Sequence, residues 1–397
     1  MSKHKNDIVI LAAKRSAIGS FLGSLSSINA PDITAPLITS VCAGLDKLTD
    51  IGEVILGQIL NAGGGQGPAR QAAMRAGIPQ TVPAMGINFL CGSGLKAVAL
   101  ANDYILSGSC QLLVAGGMES MSRAPHAVLL RAGLPDAIKM GDGKLVDTML
   151  SDALYCAFHN YHMGQTAENI AKKFNIDRHA QDEFAIASQE KAARAIKQGN
   201  FKDEILPLTI KQKKGDMIFD NDEYPRGGDI DSLAKLQPVF MKGGSVTAGN
   251  ASGLNDGAAA LLVASRDYAD KHHLKPMCKI ISHASVGVDP AIMGVGPIDA
   301  TKLALAKAGL TVGDLDLIES NEAFAAQSLA VIKELGFDAK RVNINGGAIA
   351  LGHPVGASGA RILVTLIHAL QKNGGRYGLA TLCVGGGMGV SMVVERE

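Results

Sequence analysis

The chain has 397 residues, enough for two or three domains around a sizeable core. Lys plus Arg (38) nearly balances Asp plus Glu (37), so no global field recruits nucleic acid or an anionic membrane, and any anionic ligand needs a local patch. Apolar residues make up 47% of the chain, glycine numbers 47 and tryptophan is absent, the mix of a tightly packed α/β protein with many close backbone approaches.

The start, residues 1–7, is short and polar, with no secretory apolar region and no arginine-rich presequence. No apolar run approaches a membrane span, so a soluble, cytoplasmic protein without membrane partners is expected. The six cysteines (Cys42, Cys91, Cys110, Cys156, Cys278, Cys383) are scattered without CxxC spacing. That argues against zinc, and a disulfide framework is not expected in so long a chain. A reducing compartment and no metal follow as expectations.

In chain order, 8–12 and 54–57 read as strands. The turn Asn88-Phe89-Leu90-Cys91-Gly92-Ser93-Gly94 runs into a small-residue helix over 95–101, followed by a strand at 112–115 and Gly116-Gly117-Met118. Between 122 and 248 the texture changes. Helices predicted at 165–174 and 179–198 alternate with charged, proline-containing stretches such as 211–216 and 220–226. This reads as an inserted, surface-lying segment, either a variable excursion or one that builds a site. Beyond it come a strand at 259–264, a helix at 299–308, a cap and turn at 311–315 and a strand at 317–318. Helices at 322–335 and 358–372 and a strand at 379–384 complete the chain. Strand-like runs buried on both faces and alternating with helices require a parallel or mixed sheet.

The chain also repeats itself. Ser93-Gly94-Leu95-Lys96 and Ser358-Gly359-Ala360-Arg361 each open an apolar helix, each followed by an apolar strand and by Gly-Gly-Met, at 116–118 and 386–388. Two related α/β units packed together explain the shared order.

Cys91 stands at the head of its helix, where unpaired backbone N–H groups favour thiolate over thiol. A cysteine there suits a nucleophile, although free cysteines in apolar surroundings also serve as inert packing. His353, between Gly352 and Pro354 just before a helix, suits a general base, and equally a hydrogen-bonded structural group. Cys383 sits at a strand end before Gly385-Gly386-Gly387, whose N–H groups can cradle an oxyanion. Asn321, at a strand-to-helix junction, reads either as a polar site residue or as a helix N-cap.

Taken together, these stretches resemble the thiolase family, in particular its biosynthetic branch. Beyond the segments around Cys91, Asn321, His353 and Cys383, the resemblance takes in His162-Met163-Gly164-Gln165-Thr166-Ala167-Glu168-Asn169 and the run from Val246 to Gly257. The resemblance implies a thiolase-like α/β fold, two related halves stacked as five layers (αβαβα) with an inserted loop domain. Its divisions would be 1–121 plus 249–271, then 122–248, then 272–397. It also implies an acyltransferase that condenses two acetyl-CoA to acetoacetyl-CoA and CoA, reversibly and by a ping-pong course. No permanently bound cofactor is implied, only coenzyme A thioesters as substrate and product.

In that reading Cys91 is acylated while His353 takes its proton, and Cys383 removes the α-proton of the second acetyl-CoA. The enolate oxygen is held by His353 and a water on Asn321, and the tetrahedral oxyanion by the N–H groups of Cys91 and Gly385. The coenzyme lies along Arg226, Ser252, Ala248, His162 and Leu254. Met163, Met293, Phe240, Phe324 and Leu154 close the acyl pocket. A homotetramer, a dimer of dimers assembled through a loop near 124–145, is implied too.

Rival readings are a degradative 3-ketoacyl-CoA thiolase of broader chain length and a non-catalytic thiolase-like binder of CoA or lipid. The bulky acyl-pocket residues favour the short-chain form. The binder would be expected to have lost Cys91, His353 or Cys383, and all three are present. A decarboxylating ketoacyl synthase is disfavoured because it would need a second histidine where Asn321 stands.

Overall fold

The computed structural model describes residues 7–130, 138, 140–213 and 215–397. Of the sequence readings, the polar start through Asn6, Lys214 of the charged stretch, and positions 131–137 and 139 of the expected assembly loop lie outside the described residues.

The first half runs β1 (Ile8–Arg15), α1 (Ala30–Val41), β2 (Glu53–Gly57), α2 (Pro68–Arg75), β3 (Ala84–Ile87), α3 (Ser93–Leu106) and β4 (Leu112–Ser120). Residues 122–248 carry α4 (Met163–Phe174) and α5 (Arg178–Lys197) among short elements. The chain then returns through β5 (Asn255–Ser265) and β6 (Cys278–Gly287). It finishes with α6 (Gly296–Ala308), β7 (Leu317–Ser320), α7 (Ala325–Leu335), α8 (Ser358–Asn373), β8 (Tyr377–Val384) and β9 (Met388–Arg396).

The strands follow one hydrogen-bonded path, β7-β8-β9-β6-β1-β5-β4-β2-β3. Its two ends mirror each other. β2 and β4 are parallel, and β4, β5 and β1 then alternate antiparallel. Likewise β7 and β8 are parallel, and β8, β9 and β6 alternate antiparallel. The repeat legible in the sequence is therefore a repeat of topology. The two half-sheets are joined where Ile8–Ile10 of β1 registers against Cys278–Ile280 of β6.

Apolar layers separate these sheets from the helices. α1 and α2 pack outside the first half-sheet through Ile33, Leu37, Val54 and Leu262. α6 and α7 pack outside the second through Leu305, Ile318, Val331 and Leu379. Between the half-sheets lie α3 and α8, enclosed through Leu95, Val98, Leu113, Leu363, Leu366 and Leu382. The result is the five-layer αβαβα stack, in which α8 is buried over almost its whole circumference.

The two central helices touch backbone to backbone. A methyl group on Gly94 would stand 2.6 Å from the Ala360 nitrogen, and one on Gly359 would stand 2.4 Å from the Leu95 nitrogen. Those glycines let both helices begin side by side at one end of the sheets. No helix among the described residues is long and apolar enough to cross a membrane.

Most predicted elements stand where the pattern put them, with strands running longer. The helix expected over 322–335 begins only at Ala325. Residues just before it are extended and bound to the neighbouring loop: Ala251 bridges Phe324, and the Ala325 N–H donates to the Asn250 carbonyl. The cap and turn at 311–315 is a capping box between Thr311 and Asp314. Gly359→Ala should push α3 and α8 apart and destabilise the fold by about 2 kcal/mol, overpacking outweighing the better helix propensity of alanine. Denaturant unfolding measures this, and unchanged stability would show that the helices do not depend on the contact.

Candidate active site

Both central helices start at the same place, and each start is preceded by a site residue. Before α3 the chain makes a tight turn in which Leu90 takes φ +46°, left-handed backbone that leucine adopts only when its surroundings impose it. The surroundings do so. The Ser93 hydroxyl accepts from the Phe89 N–H at 2.8 Å and donates to the Leu90 carbonyl at 2.7 Å, while Asn88 Oδ1 accepts from the Leu90 N–H at 2.9 Å. Gly92 is pressed against Phe89, Val384 and Val390, with no room for a side chain. Cys91 is thereby held at the turn, partly exposed.

Its electrostatics differ from the sequence expectation. Burial pushes the Cys91 thiol up to about 11; the N–H groups of Gly385 and of Cys91 itself favour the thiolate but do not overcome it. The Glu119 carboxyl adds to the rise. The helix start does not deliver a ready thiolate, because desolvation wins. Activation must come from a base beside the sulfur.

His353 supplies it. The residue is buried, lines the same cleft as Cys91, and precedes α8. Its backbone N–H donates to Asn255 Oδ1 at 2.8 Å, and its Nδ1 lies 2.5 Å from the Ser358 hydroxyl, which also reaches the Pro354 carbonyl at 2.9 Å. With the hydroxyl turned to Pro354, Nδ1 carries the ring proton and Nε2 offers a lone pair. With the hydroxyl turned to the ring, Nε2 carries the proton instead. Burial, and after it the Arg361 guanidinium, push the imidazole down to about 3, so the ring is neutral at physiological pH.

Cys383 ends β8 and is fully buried, in one apolar cluster with Met163, Met293, Ala323 and Phe324. Burial raises its thiol above the ordinary range, and Cys91 raises it further. Beyond it the chain turns through Gly386 and Gly387, both at positive φ, which leaves the Gly385 N–H facing the Cys91 sulfur. Asn321 is not the helix cap, a role that falls to Phe324. It is 1% exposed, and neither its Oδ1 nor its Nδ2 has a hydrogen-bond partner.

The cleft is narrow, with a cavity volume of about 80 Å³. It brings together Cys91 and His353 with Leu154, His162, Met163, Phe240, Ser252, Leu254, Met293 and Phe324. Phe240 stacks on His162 at 4.6 Å and meets Phe324 edge-on at 6.2 Å. A side chain on Gly164 would collide with the Phe240 ring. His162 Nδ1 accepts from the Gly164 N–H at 3.0 Å, which leaves Nε2 as the ring's donor; burial lowers its pKa. Arg226 and Ala248 do not line the cleft; both are exposed, where Arg226 Nη2 donates to the Ala248 carbonyl at 3.3 Å and its guanidinium lies 4.6 Å over the Tyr224 ring. Among the described residues, no cluster of His, Cys, Asp and Glu is arranged to hold a metal.

Family models for the thiolase N-terminal domain and the thiolase C-terminal domain match residues 8–267 and 274–396. The chain belongs to the thiolase family. It is 56% identical over 390 residues to an acetyl-CoA acetyltransferase of Shinella zoogloeoides, covering 98% of each chain. It is 55% identical over 395 residues to that of Pseudomonas aeruginosa, covering 98% of this chain and 100% of the relative. In structure it is similar to the Bacillus anthracis acetyl-CoA acetyltransferase (TM-score 0.95, 42% identity, 98% of this chain and 99% of the other). It is also similar to human mitochondrial 3-ketoacyl-CoA thiolase (TM-score 0.94, 39% identity, 99% and 100%).

Within this thiolase site, sequence reasoning missed Ser358 and Glu119. Glu119 accepts from the N–H groups of Ile59 at 3.0 Å, Leu60 at 3.3 Å and Gly356 at 3.1 Å, tying the His353 loop to the end of β2. Burial pushes its carboxyl up to about 7. Glu119 has no local signal, since its partners lie far along the chain; Ser358 stands in the Ser-Gly motif, which by itself signals only the opening of a helix. Ser358→Ala should slow acylation of Cys91 roughly a hundred-fold by freeing the imidazole from its partner, while Ser358→Thr restores most of it. Single-turnover acylation measures both, and a Ser358→Ala rate equal to the parent's would remove Ser358 from the account.

Proposed function

We propose that the protein is an acetyl-CoA acetyltransferase, condensing two acetyl-CoA to acetoacetyl-CoA and free CoA, and running the reverse thiolysis at the same site. The observation that carries this reading is the convergence of Cys91 and His353 on one narrow cleft, with Cys383 packed among Met163, Met293 and Phe324 of its wall, within a chain whose relatives at about 55% identity bear that name.

In the first half-reaction the Cys91 sulfur attacks the thioester carbonyl of acetyl-CoA while His353 Nε2 takes the thiol proton. The tetrahedral oxyanion lies against the N–H groups of Cys91 and Gly385. The intermediate collapses to acetyl-Cys91, and His353 returns the proton to the departing CoA sulfur. In the second, Cys383 gives its thiol proton to the now neutral His353 Nε2 and, as the thiolate, removes the α-proton of a new acetyl-CoA. A buried thiol with a raised pKa is a strong base once ionised, which this weakly acidic C–H requires. The enolate oxygen is met by the Nε2–H that His353 has gained from Cys383, with Nδ1–H held on the Ser358 hydroxyl, and by water bound to Asn321. The carbanion attacks the carbonyl of acetyl-Cys91, the C–S bond to Cys91 breaks as acetoacetyl-CoA forms, and the departing Cys91 sulfur takes the Nε2 proton of His353, which restores both thiols and the neutral imidazole.

Arg226 at the exposed rim suits the phosphates or adenine of the coenzyme, with Ala248, Ser252, His162 and Leu254 following the pantetheine arm inward. Residues 122–248 then act as the cover of that groove, between halves at 1–121 plus 249–271 and at 272–397. A cytoplasmic homotetramer fits this reading. Val128, Leu130, Met140 and Leu145 are exposed apolar side chains in the expected assembly loop, a surface that invites a partner copy.

Met163 and Met293 are buried at the cleft wall beside Phe240 and Phe324, so volume limits the acyl group. Purified enzyme should cleave acetoacetyl-CoA in preference to longer 3-ketoacyl-CoA. Met163→Ala should shift the ratio of kcat/KM values toward longer chains by roughly 1 kcal/mol, a few-fold, per added methylene. A parent enzyme that already prefers long chains would instead support the degradative reading.

A further inference from the structure

Buried polar atoms without a hydrogen-bond partner are concentrated in one part of the molecule. Among the described residues fifteen side-chain nitrogens and oxygens are in that condition, and ten belong to residues 319–328 and Arg361. They comprise one oxygen of Glu319, the hydroxyls of Ser320 and Ser328, both amide atoms of Asn321 and of Gln327, and the three guanidinium nitrogens of Arg361. A folded interior meets such groups with ordered water.

The fold sorts them onto two sides of β7. Glu319 faces inward, where its carboxyl lies 3.6 Å from Arg361 of α8. Ser320 alternates to the other face, shared with Ile318 and packed under α7. It registers opposite Thr381, whose carbonyl accepts from the Asn321 N–H at 3.0 Å. Along α7 the spacing of three and four residues places Phe324, Gln327 with Ser328, and Val331 on one face. Phe324 lines the cleft and Val331 belongs to the apolar layer. Gln327 and Ser328 therefore occupy the turn between the acyl pocket and the core. Gln327 is also held directly behind the cleft wall, since a side chain on Gly294, next to Met293, would meet its Cγ at 2.6 Å. Thr381, Ser391 and Thr301 continue the polar wall, with hydroxyls 2.7 Å and 3.1 Å apart in succession.

We propose that Ser320, Gln327 and Ser328 bound an internal hydration site continuous with Asn321, and that its waters hold in place the water that Asn321 presents to the enolate. The inference rests on the two half-reactions described above. The chemistry of the wall selects the ligand. It offers amides and hydroxyls, each both donor and acceptor, while the neighbouring Glu322 carboxyl is already engaged by Ser188, Asn343 and the Ile349 N–H, which suits a small neutral molecule able to donate and accept. Gln327 and Ser328 are thus positioning residues for the second half-reaction only; the first uses the backbone N–H groups of Cys91 and Gly385.

That asymmetry is the test. In Gln327→Met and Ser328→Ala, formation of acetyl-Cys91 from acetyl-CoA should match the parent. Exchange of the acetyl-CoA methyl protons with heavy water should fall about ten-fold, the effect of one misplaced hydrogen bond at a transition state. Ser328→Thr, which keeps the hydroxyl, should restore exchange. Unchanged exchange in both variants, or acylation and exchange falling in proportion as a loss of folded enzyme would cause, overturns the proposal. If Gln327→Met does not fold, Ser328→Ala alone decides. A parent protein that neither acetylates nor exchanges would refute the functional reading instead, so the two failures are distinguishable.

Discussion

The contact on which the rest depends is the meeting of α3 and α8 at Gly94 and Gly359, where backbone lies on backbone. Each helix belongs to one half of the repeat, and each half alone would present one helix start with one reactive residue before it. Pressing the two helices together in the central layer puts Cys91 and His353 into a single cleft. The strand that follows α8 then brings Cys383 beneath it, and its closing turn aims the Gly385 N–H at the Cys91 sulfur. The catalytic arrangement is a consequence of how two similar units are stacked, and small residues at the crossing are what permit the stacking.

Burial sets the chemistry of that cleft. It raises both thiols, keeps the imidazole neutral and pushes the Glu119 carboxyl up toward neutrality. In a site tuned in this way the two thiols and the imidazole are all uncharged before the substrate enters. In the proposed mechanism protons move only once the thioester is in place, between groups whose loops are fixed by Ser358, Asn255 and the glycine turns. The same dryness strengthens each N–H that faces developing negative charge.

Much of this was legible in the sequence. The Ser-Gly motifs, the repeat of helix, strand and Gly-Gly-Met, and the positions of Cys91, His353 and Cys383 at element ends are local signals that survive into the fold. What was not legible depends on partners far along the chain. The left-handed backbone at Leu90 is held locally by the Asn88 and Ser93 side chains, but Gly92 beside it is closed in by Val384 and Val390 from the far end of the chain, which no local pattern announces. Asn321 has the composition of a helix cap, yet the chain after it stays extended against Asn250 and Ala251, so the helix starts later and the amide is left for the site. The thiolate expected at the helix start fails for the same reason: the helix contribution is local, the desolvation is not.

The central claim is a division of labour between two cysteines, one that carries the acyl group and one that moves a proton. It is tested most directly by rapid-quench incubation with acetyl-CoA followed by peptide mapping, on the parent and on Cys383→Ala, with methyl-proton exchange measured in parallel. The account predicts an acetyl group on the Cys91 peptide in both proteins and exchange in the parent alone. An acetyl group on Cys383, or exchange that survives in Cys383→Ala, would contradict it.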